Sequence, residues 1–196
     1  MTNPEIVKLI TQIVSITLAS PRYPEWKNKL TSLIDSLLNK PLMECTNIQD
    51  ILRKMKIAAE TSDKIDLEKE YTRLFINALE GVQCPPYESV YKSPRRLMYH
   101  EPIIKDLNRY LKLVGVDLDK DRAVSPDHLG ALIELFYLLY TYGYIREAEK
   151  LYNDHIRFLL GKIGVCLQDK SQLEFYRLAG ELFEILGYCI PSVSRL

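Results

Sequence analysis

The stretch IVKLITQIV, residues 6–14, carries the pattern that decides the fold. Its apolar residues lie three or four positions apart, so they share one face of an α-helix. They are Ile6, Leu9, Ile10, Ile13 and Val14. The same spacing recurs along most of the chain, and no segment alternates apolar and polar residues over a useful length, as a half-buried strand would. The sequence therefore predicts an all-α protein.

The length of 196 residues and the even composition predict a single helical domain, residues 1–196, built as a bundle of about eight helices. Three glycines, Gly115, Gly143 and Gly187, follow apolar runs and are interpreted as helix C-caps. Two Ser-Pro pairs, at Ser93 and Ser125, are interpreted as helix starts. The predicted helices lie near residues 3–19, 24–39, 47–60, 64–80, 94–114, 126–142, 144–163 and 169–187.

The charge balance argues against recruitment by nucleic acid or by an anionic membrane. Lys+Arg and Asp+Glu are both 26, which gives a formal net charge of zero. The longest nearly apolar run, residues 129–140, is interrupted by Glu134 and is shorter than the roughly 20 residues of a membrane span. The amino terminus lacks the basic region of a signal peptide. We expect no stable membrane association.

The four cysteines, Cys45, Cys84, Cys166 and Cys189, are far apart and show no C-x-x-C spacing. In a chain of this size they predict reduced thiols in a cytoplasmic protein. The sequence lacks the motifs of phosphate-binding loops, dinucleotide-binding folds and serine nucleophiles. It contains only three histidines as candidate metal ligands. We expect neither an enzyme nor a metal site.

The segment CPPYESVY, residues 84–91, is the most conspicuous interruption of the helical pattern. Pro85 and Pro86 cannot continue a helix and stiffen the chain that carries the tyrosines at 87 and 91. Rigid aromatic side chains beside a glutamate suit a surface that grips an extended peptide. The alternative is a proline loop whose tyrosines plug the bundle. The candidate residues of this loop are Pro85, Pro86, Tyr87, Glu88 and Tyr91.

Two further segments supply candidate residues. On the preceding helix, Tyr71 and Phe75 share a face that is more often core than ligand site. In SPDH, Asp127 and His128 open a helix, where they serve either as capping residues or in recognition. In SPRR, residues 93–96, two arginines at a helix start oppose the helix dipole and favour an anion nearby.

The segment GYIREAEKLY, residues 143–152, has the appearance of a tetratricopeptide turn. It occurs once, whereas such repeats need at least three copies to bury a continuous core. A tetratricopeptide-like helical adaptor is therefore kept as the alternative function.

Taken together, EYTRLFI, CPPYESVY, PDHLGALIELF and YNDHIRFLLGKI resemble the TorD/DmsD/NarJ family of maturation chaperones over residues 67–186. The family's aromatic-x-x-L-F helix, proline-tyrosine-glutamate loop and aspartate-histidine pair match the candidates given above. Its histidine on an aromatic-rich helix matches His155. Many relatives carry an acidic residue and a proline before the aspartate-histidine pair, where this chain has Val124 and Ser125.

The resemblance implies an all-helical cytoplasmic chaperone that acts by binding alone. Its partners would be the catalytic subunit of a molybdenum-containing oxidoreductase and that subunit's twin-arginine signal peptide. It would hold back export until the cofactor is inserted, with no resident cofactor and at most transient contact with molybdopterin. Glu88 and Asp127 are expected to form the acidic end of an apolar peptide groove.

Overall fold

The computed structural model describes residues 3–41, 47–79, 81–93, 99–116 and 125–189. These ranges are helical and contain no strand, which confirms the predicted all-α fold. The helices are α1 (Pro4–Thr17), α2 (Trp26–Leu38), α3 (Ile48–Thr61), α4 (Lys64–Tyr71), α5 (Glu88–Lys92), α6 (Glu101–Leu113), α7 (Leu129–Thr141), α8 (Ile145–Leu151), α9 (Arg157–Lys170) and α10 (Glu174–Cys189). Two π-helical turns, Thr72–Ile76 and Tyr152–Ile156, follow α4 and α8. No helix within the described ranges has the length and apolarity needed to cross a membrane.

The helices pack in a bundle around one continuous core. α1 packs against α2 and α7, while α10 packs against α9 and α3. Trp26 joins these two groups, because its ring meets Phe175 edge to face with centroids 5.3 Å apart and its Nε1 donates to the carbonyl of Ile16 at 2.8 Å. Burial of these apolar faces holds the bundle together.

Several predicted boundaries were wrong, each for a local reason. α7 begins at Leu129 instead of residue 126, because His128 is its N-cap. α6 begins at Glu101, where Pro102 occupies the first turn; residues 94–98, with Arg95 and Arg96, lie outside the described part. The short helix α5 was missed, since five residues give too little periodicity to recognise.

Two of the three predicted C-cap glycines are confirmed. Gly115 and Gly143 have φ values of 69° and 83°, a conformation that side chains rarely tolerate. The prediction for Gly187 was wrong, because α10 continues through it to Cys189.

The contact between α9 and α10 depends on two facing glycines. A Cβ on Gly180 would lie 2.6 Å from the backbone oxygen of Gly164, and one on Gly164 would lie 2.9 Å from the oxygen of Gly180. Both obstacles are backbone atoms, which cannot move aside as a flexible side chain would. The helices therefore approach more closely than any side chain at these positions would allow.

Gly180→Ala should lower the free energy of unfolding by about 1–3 kcal/mol, because the added methyl forces the two helices apart. Gly161→Ala is the matched control on α9, where an added Cβ meets nothing within 4 Å. It should raise stability by up to about 1 kcal/mol through helix propensity. Urea unfolding of both variants measures the difference; equal stabilities would contradict the close approach.

A buried carboxylate fixes the end of α4. Glu70 accepts two hydrogen bonds from Arg73, each 2.8 Å, one from the backbone N–H of Gln172 at 2.6 Å and one from Ser171 Oγ at 3.1 Å. Burial alone would raise the pKa of Glu70, but these hydrogen bonds lower it below its usual value. The hydrogen bonds from Ser171 and Gln172 tie the end of α4, and with it the π-turn that follows, to the turn between α9 and α10.

Candidate functional site

The loop CPPYE folds back along the π-turn that precedes it. The N–H of Cys84 donates to the carbonyl of Leu74 at 2.7 Å. Pro86 is buried and Pro85 is half-buried. The prolines thus give a stiff connection from Cys84 to Tyr87, the N-cap residue of α5.

This loop pairs with the start of α7. Tyr87 and His128 form an antiparallel bridge, flanked by hydrogen bonds from Glu88 N–H to the Asp127 carbonyl at 3.0 Å and from Leu129 N–H to the Pro86 carbonyl at 2.8 Å. The rings of Tyr87 and His128 meet edge to face with centroids 5.0 Å apart. The fold therefore brings together two segments that the sequence singled out about 40 residues apart.

The carboxylate of Asp127 forms its hydrogen bonds within this junction. Its side chain is fully buried; Oδ2 accepts the N–H of Ser89 at 2.9 Å and Oδ1 accepts the hydroxyl of Ser125 at 2.5 Å. It therefore satisfies a free amide in the first turn of α5 instead of capping its own helix. Both carboxylate oxygens are occupied within the protein.

Glu88 is also an internal group, with 0% exposure. Its Oε2 lies 2.8 Å from Nδ1 of His155, and its Oε1 lies 2.5 Å from Nζ of Lys92. Nε2 of His155 lies 3.1 Å from Oδ2 of Asp106, so one imidazole joins α5 to α6. We call Glu88, His155 and the partly exposed Asp106 the buried triad, after its two buried members. Since neither Glu88 nor Asp127 faces solvent, the expected acidic end of a groove is not formed by these two carboxylates.

The π-turn Tyr152–Ile156 positions the imidazole of the buried triad. It inserts one extra residue between α8 and α9, so that His155, Tyr152 and Ile156 are all buried. From the sequence, His155 was identified only through the family resemblance. The local sequence pattern predicts neither a π-turn here nor a contact between this histidine and Glu88.

Aromatic side chains border this junction: Tyr71, Tyr87 and His128 are half-buried, and Tyr23 is exposed. The hydroxyl of Tyr71 donates to the carbonyl of Leu18 at 3.2 Å. Burial is the main cause that raises the pKa of Tyr71, with smaller effects of the neighbouring Tyr87 and Tyr23. Burial also raises the pKa of Tyr87, with a smaller effect of Asp127. Both hydroxyls thus stay neutral at neutral pH; that of Tyr71 already donates to Leu18 and keeps its lone pairs as acceptors. We call Tyr23, Tyr71, Tyr87 and His128 the tyrosine cluster.

Two predicted site residues lie apart from this surface. Phe75 is buried and packs its ring against Tyr71 and Tyr176, with centroids 5.4 and 5.9 Å away. Tyr91 is half-buried on α5 and packs against the core. Phe75 therefore supports Tyr71 from behind, where the sequence had placed it among the peptide-contacting residues. The sequence did not single out Tyr23, whose neighbours give no periodic signal.

His128 is held as a neutral acceptor. Its Nδ1 accepts the N–H of Gly130 at 3.0 Å, so the remaining hydrogen of the neutral ring sits on Nε2. The lack of a side chain at Gly130 permits this contact, because a Cβ there would lie 3.1 Å from Nδ1. Burial lowers the pKa of His128 to about 4, against a smaller opposing effect of Asp127. The imidazole is therefore uncharged at neutral pH.

Acid should destabilise the protein through His128. A histidine whose pKa is lower in the folded than in the unfolded chain contributes stability above about pH 6.5, and that contribution is lost as the pH falls toward 4. His128→Asn keeps a capping side chain but removes the titration. Between pH 7.5 and 4, wild type should lose roughly 3 kcal/mol more than the variant in urea unfolding. Parallel losses would contradict the assignment.

A disulfide joins Cys84 to Cys166 on α9, so the prediction of reduced thiols was wrong for this pair. The two residues are 82 positions apart, and no spacing pattern in the sequence signals such a pairing. The bond ties the beginning of the proline loop to the bundle. Cys45 and the side chain of Cys189 lie outside the described part of the structure.

Comparison with known proteins gives one family and one fold. The family model described as nitrate reductase delta subunit matches residues 39–162. A solved structure from Archaeoglobus fulgidus, described as a redox enzyme maturation protein, aligns over 94% of this chain and 93% of its own, with a TM-score of 0.63 and 19% identity. No curated protein matches the chain by sequence. At that identity the solved structure establishes the shared fold, and the family match confirms the relationship expected from the sequence.

Proposed function

Because this chain belongs to the nitrate reductase delta subunit family, we propose that it is a chaperone dedicated to one molybdenum-containing oxidoreductase. It binds the twin-arginine signal peptide and the apo form of the catalytic subunit in the cytoplasm, before cofactor insertion and export. It acts by binding alone, with no resident cofactor and at most transient contact with molybdopterin.

Besides the family match, one observation supports the proposal. Tyr87 and His128 lie on a rigid part of the chain, because the polar groups beneath them bind one another within the protein. The prolines, Asp127 and the buried triad fix the positions of Tyr87 and His128. Tyrosine rings with neutral hydroxyls bind apolar side chains and peptide amides together, and a fixed surface loses little entropy on binding. This suits a signal peptide, which is extended and largely apolar after its arginines.

The tetratricopeptide alternative is not favoured by the structure. The segment GYIREAEKLY forms α8 and continues through the π-turn into α9 as far as Lys170. A tetratricopeptide helix would instead turn back after a few turns to pair with its neighbour. The resemblance at residues 143–152 is therefore confined to the sequence pattern.

The experiment removes the gene from its own host and measures molybdenum in the catalytic subunits whose leaders carry two arginines. We expect a loss of bound molybdenum, restored by the wild-type gene. Tyr23→Ala should restore it poorly, whereas Tyr142→Ala, a control of similar exposure at the α7–α8 turn, should restore it fully; the two tyrosines are 67% and 61% exposed. An unchanged molybdenum content after deletion would reject the proposal.

A further inference from the structure

An open groove lies between α1 and α2, with α7 as its third wall. Its volume is about 810 Å³, within the range of roughly 300–1,000 Å³ that ligand clefts occupy. Ile16, Ala19 and Leu33 give the groove an apolar floor, and each of them is only partly covered by the core. The groove therefore offers apolar surface that the packing of the bundle leaves partly uncovered.

The groove adjoins the tyrosine cluster at one end. Ala19 follows Leu18, whose carbonyl accepts the Tyr71 hydroxyl. On the opposite wall, α7 runs from its N-cap His128 to Glu134, a distance of about 9 Å along the helix axis. An extended peptide covers that distance with about three residues. One short segment can therefore reach both the groove and the cluster.

The groove also carries an unbalanced negative charge. Glu134 is exposed and is the single charged residue of α7, LGALIELFYLLYT. Within the described ranges no cation lies at ion-pairing distance from it. Lys29 lines the same groove but pairs with Glu25 at 2.9 Å. Two carboxylates therefore face one ammonium group, and the surplus favours a cationic ligand.

We propose that this groove receives the arginine-bearing end of the signal peptide, with Glu134 as the acceptor for a guanidinium group. The apolar residues that follow the arginines pack on Ile16, Ala19 and Leu33 and lead to the tyrosine cluster. The proposal rests on the function proposed above and specifies where the peptide binds. A planar guanidinium can bind a carboxylate through two parallel hydrogen bonds, which an ammonium cannot do.

The test is a calorimetric titration of the full chain with a synthetic twin-arginine signal peptide. Glu134→Gln should weaken binding by about tenfold or more, the effect of removing a charged hydrogen-bonding partner. Glu181→Gln is the matched control, since Glu181 is an exposed glutamate in the interior of α10. It should leave the affinity within about twofold of wild type. Ser32→Trp should also weaken binding, because it fills the groove from an exposed wall without changing charge.

A second arm separates the acceptor role from a general charge effect. Replacing both peptide arginines by lysines should weaken binding to wild type but have little further effect on Glu134→Gln. If wild type binds and Glu134→Gln and Ser32→Trp both match it, the groove assignment is overturned while the chaperone function stands. If wild type binds no such peptide, the groove assignment and peptide binding by the chain fail together.

Discussion

Replacing Cys84 and Cys166 by serine should lower the free energy of unfolding by about 4 kcal/mol, because the disulfide closes a loop between residues 82 positions apart. In the unfolded chain this link removes many conformations, and its loss restores them. Cys84 is fully buried beside the proline loop, so its hydroxyl replacement is also poorly solvated. Urea unfolding of the oxidised protein and of the double variant measures the difference.

Reductant provides the control for this prediction. Wild type in dithiothreitol should approach the stability of the double variant, whereas the double variant should not respond to reductant through these positions. Alkylation of Cys84 and Cys166 in native, unreduced protein would contradict the bond. Disulfides are rare in the cytosol outside hyperthermophilic organisms, so the state of this pair in the cell bears directly on the proposed location.

The second large effect concerns the buried triad. His155→Ala should cost about 3–5 kcal/mol, because Glu88 would remain fully buried after losing the partner 2.8 Å away. Lys92 alone then faces the carboxylate. Since Glu88 N–H also pairs with the Asp127 carbonyl, the loss should loosen the junction that carries Tyr87. Urea unfolding gives the stability change.

A double-mutant cycle distinguishes lost charge pairing from lost packing. Glu88→Gln combined with His155→Ala should cost clearly less than the sum of the two single changes, because no fully buried carboxylate is then left without His155. Asp154→Ala is the matched control on the same π-turn, since Asp154 forms an exposed ion pair with Lys150; it should leave stability nearly unchanged. Additive costs for Glu88 and His155 would contradict the pairing.

The sequence predicted the longer helices well where they carry a long apolar face. Long, periodic segments such as α1 and α2 were located to within two residues. At the candidate site, the failures fall where a local signal was overruled by a partner distant in sequence. Ser125 was interpreted as the start of α7, but His128 is the N-cap of that helix, and the carboxylate of Asp127 binds the first turn of α5 instead.

The sequence predicted which segments form the candidate site but not which of their side chains face solvent. The sequence identified the proline loop and the aspartate-histidine pair, and the structure places them in contact. It could not reveal that Glu88 and Asp127 point inward, because burial of a carboxylate depends on donors such as His155 and the Ser89 amide from other elements. The exposed carboxylate of Glu134 was noted only as an interruption of an apolar run.

Titration of the wild-type protein with a twin-arginine signal peptide decides whether this chain recognises such a peptide. The control peptide carries two lysines in place of the arginines, which keeps the charge and removes the planar donor pair. We expect micromolar or tighter binding that the lysine substitution weakens by about tenfold. Equal affinity for the two peptides, or no binding to several signal peptides of this class, would contradict it.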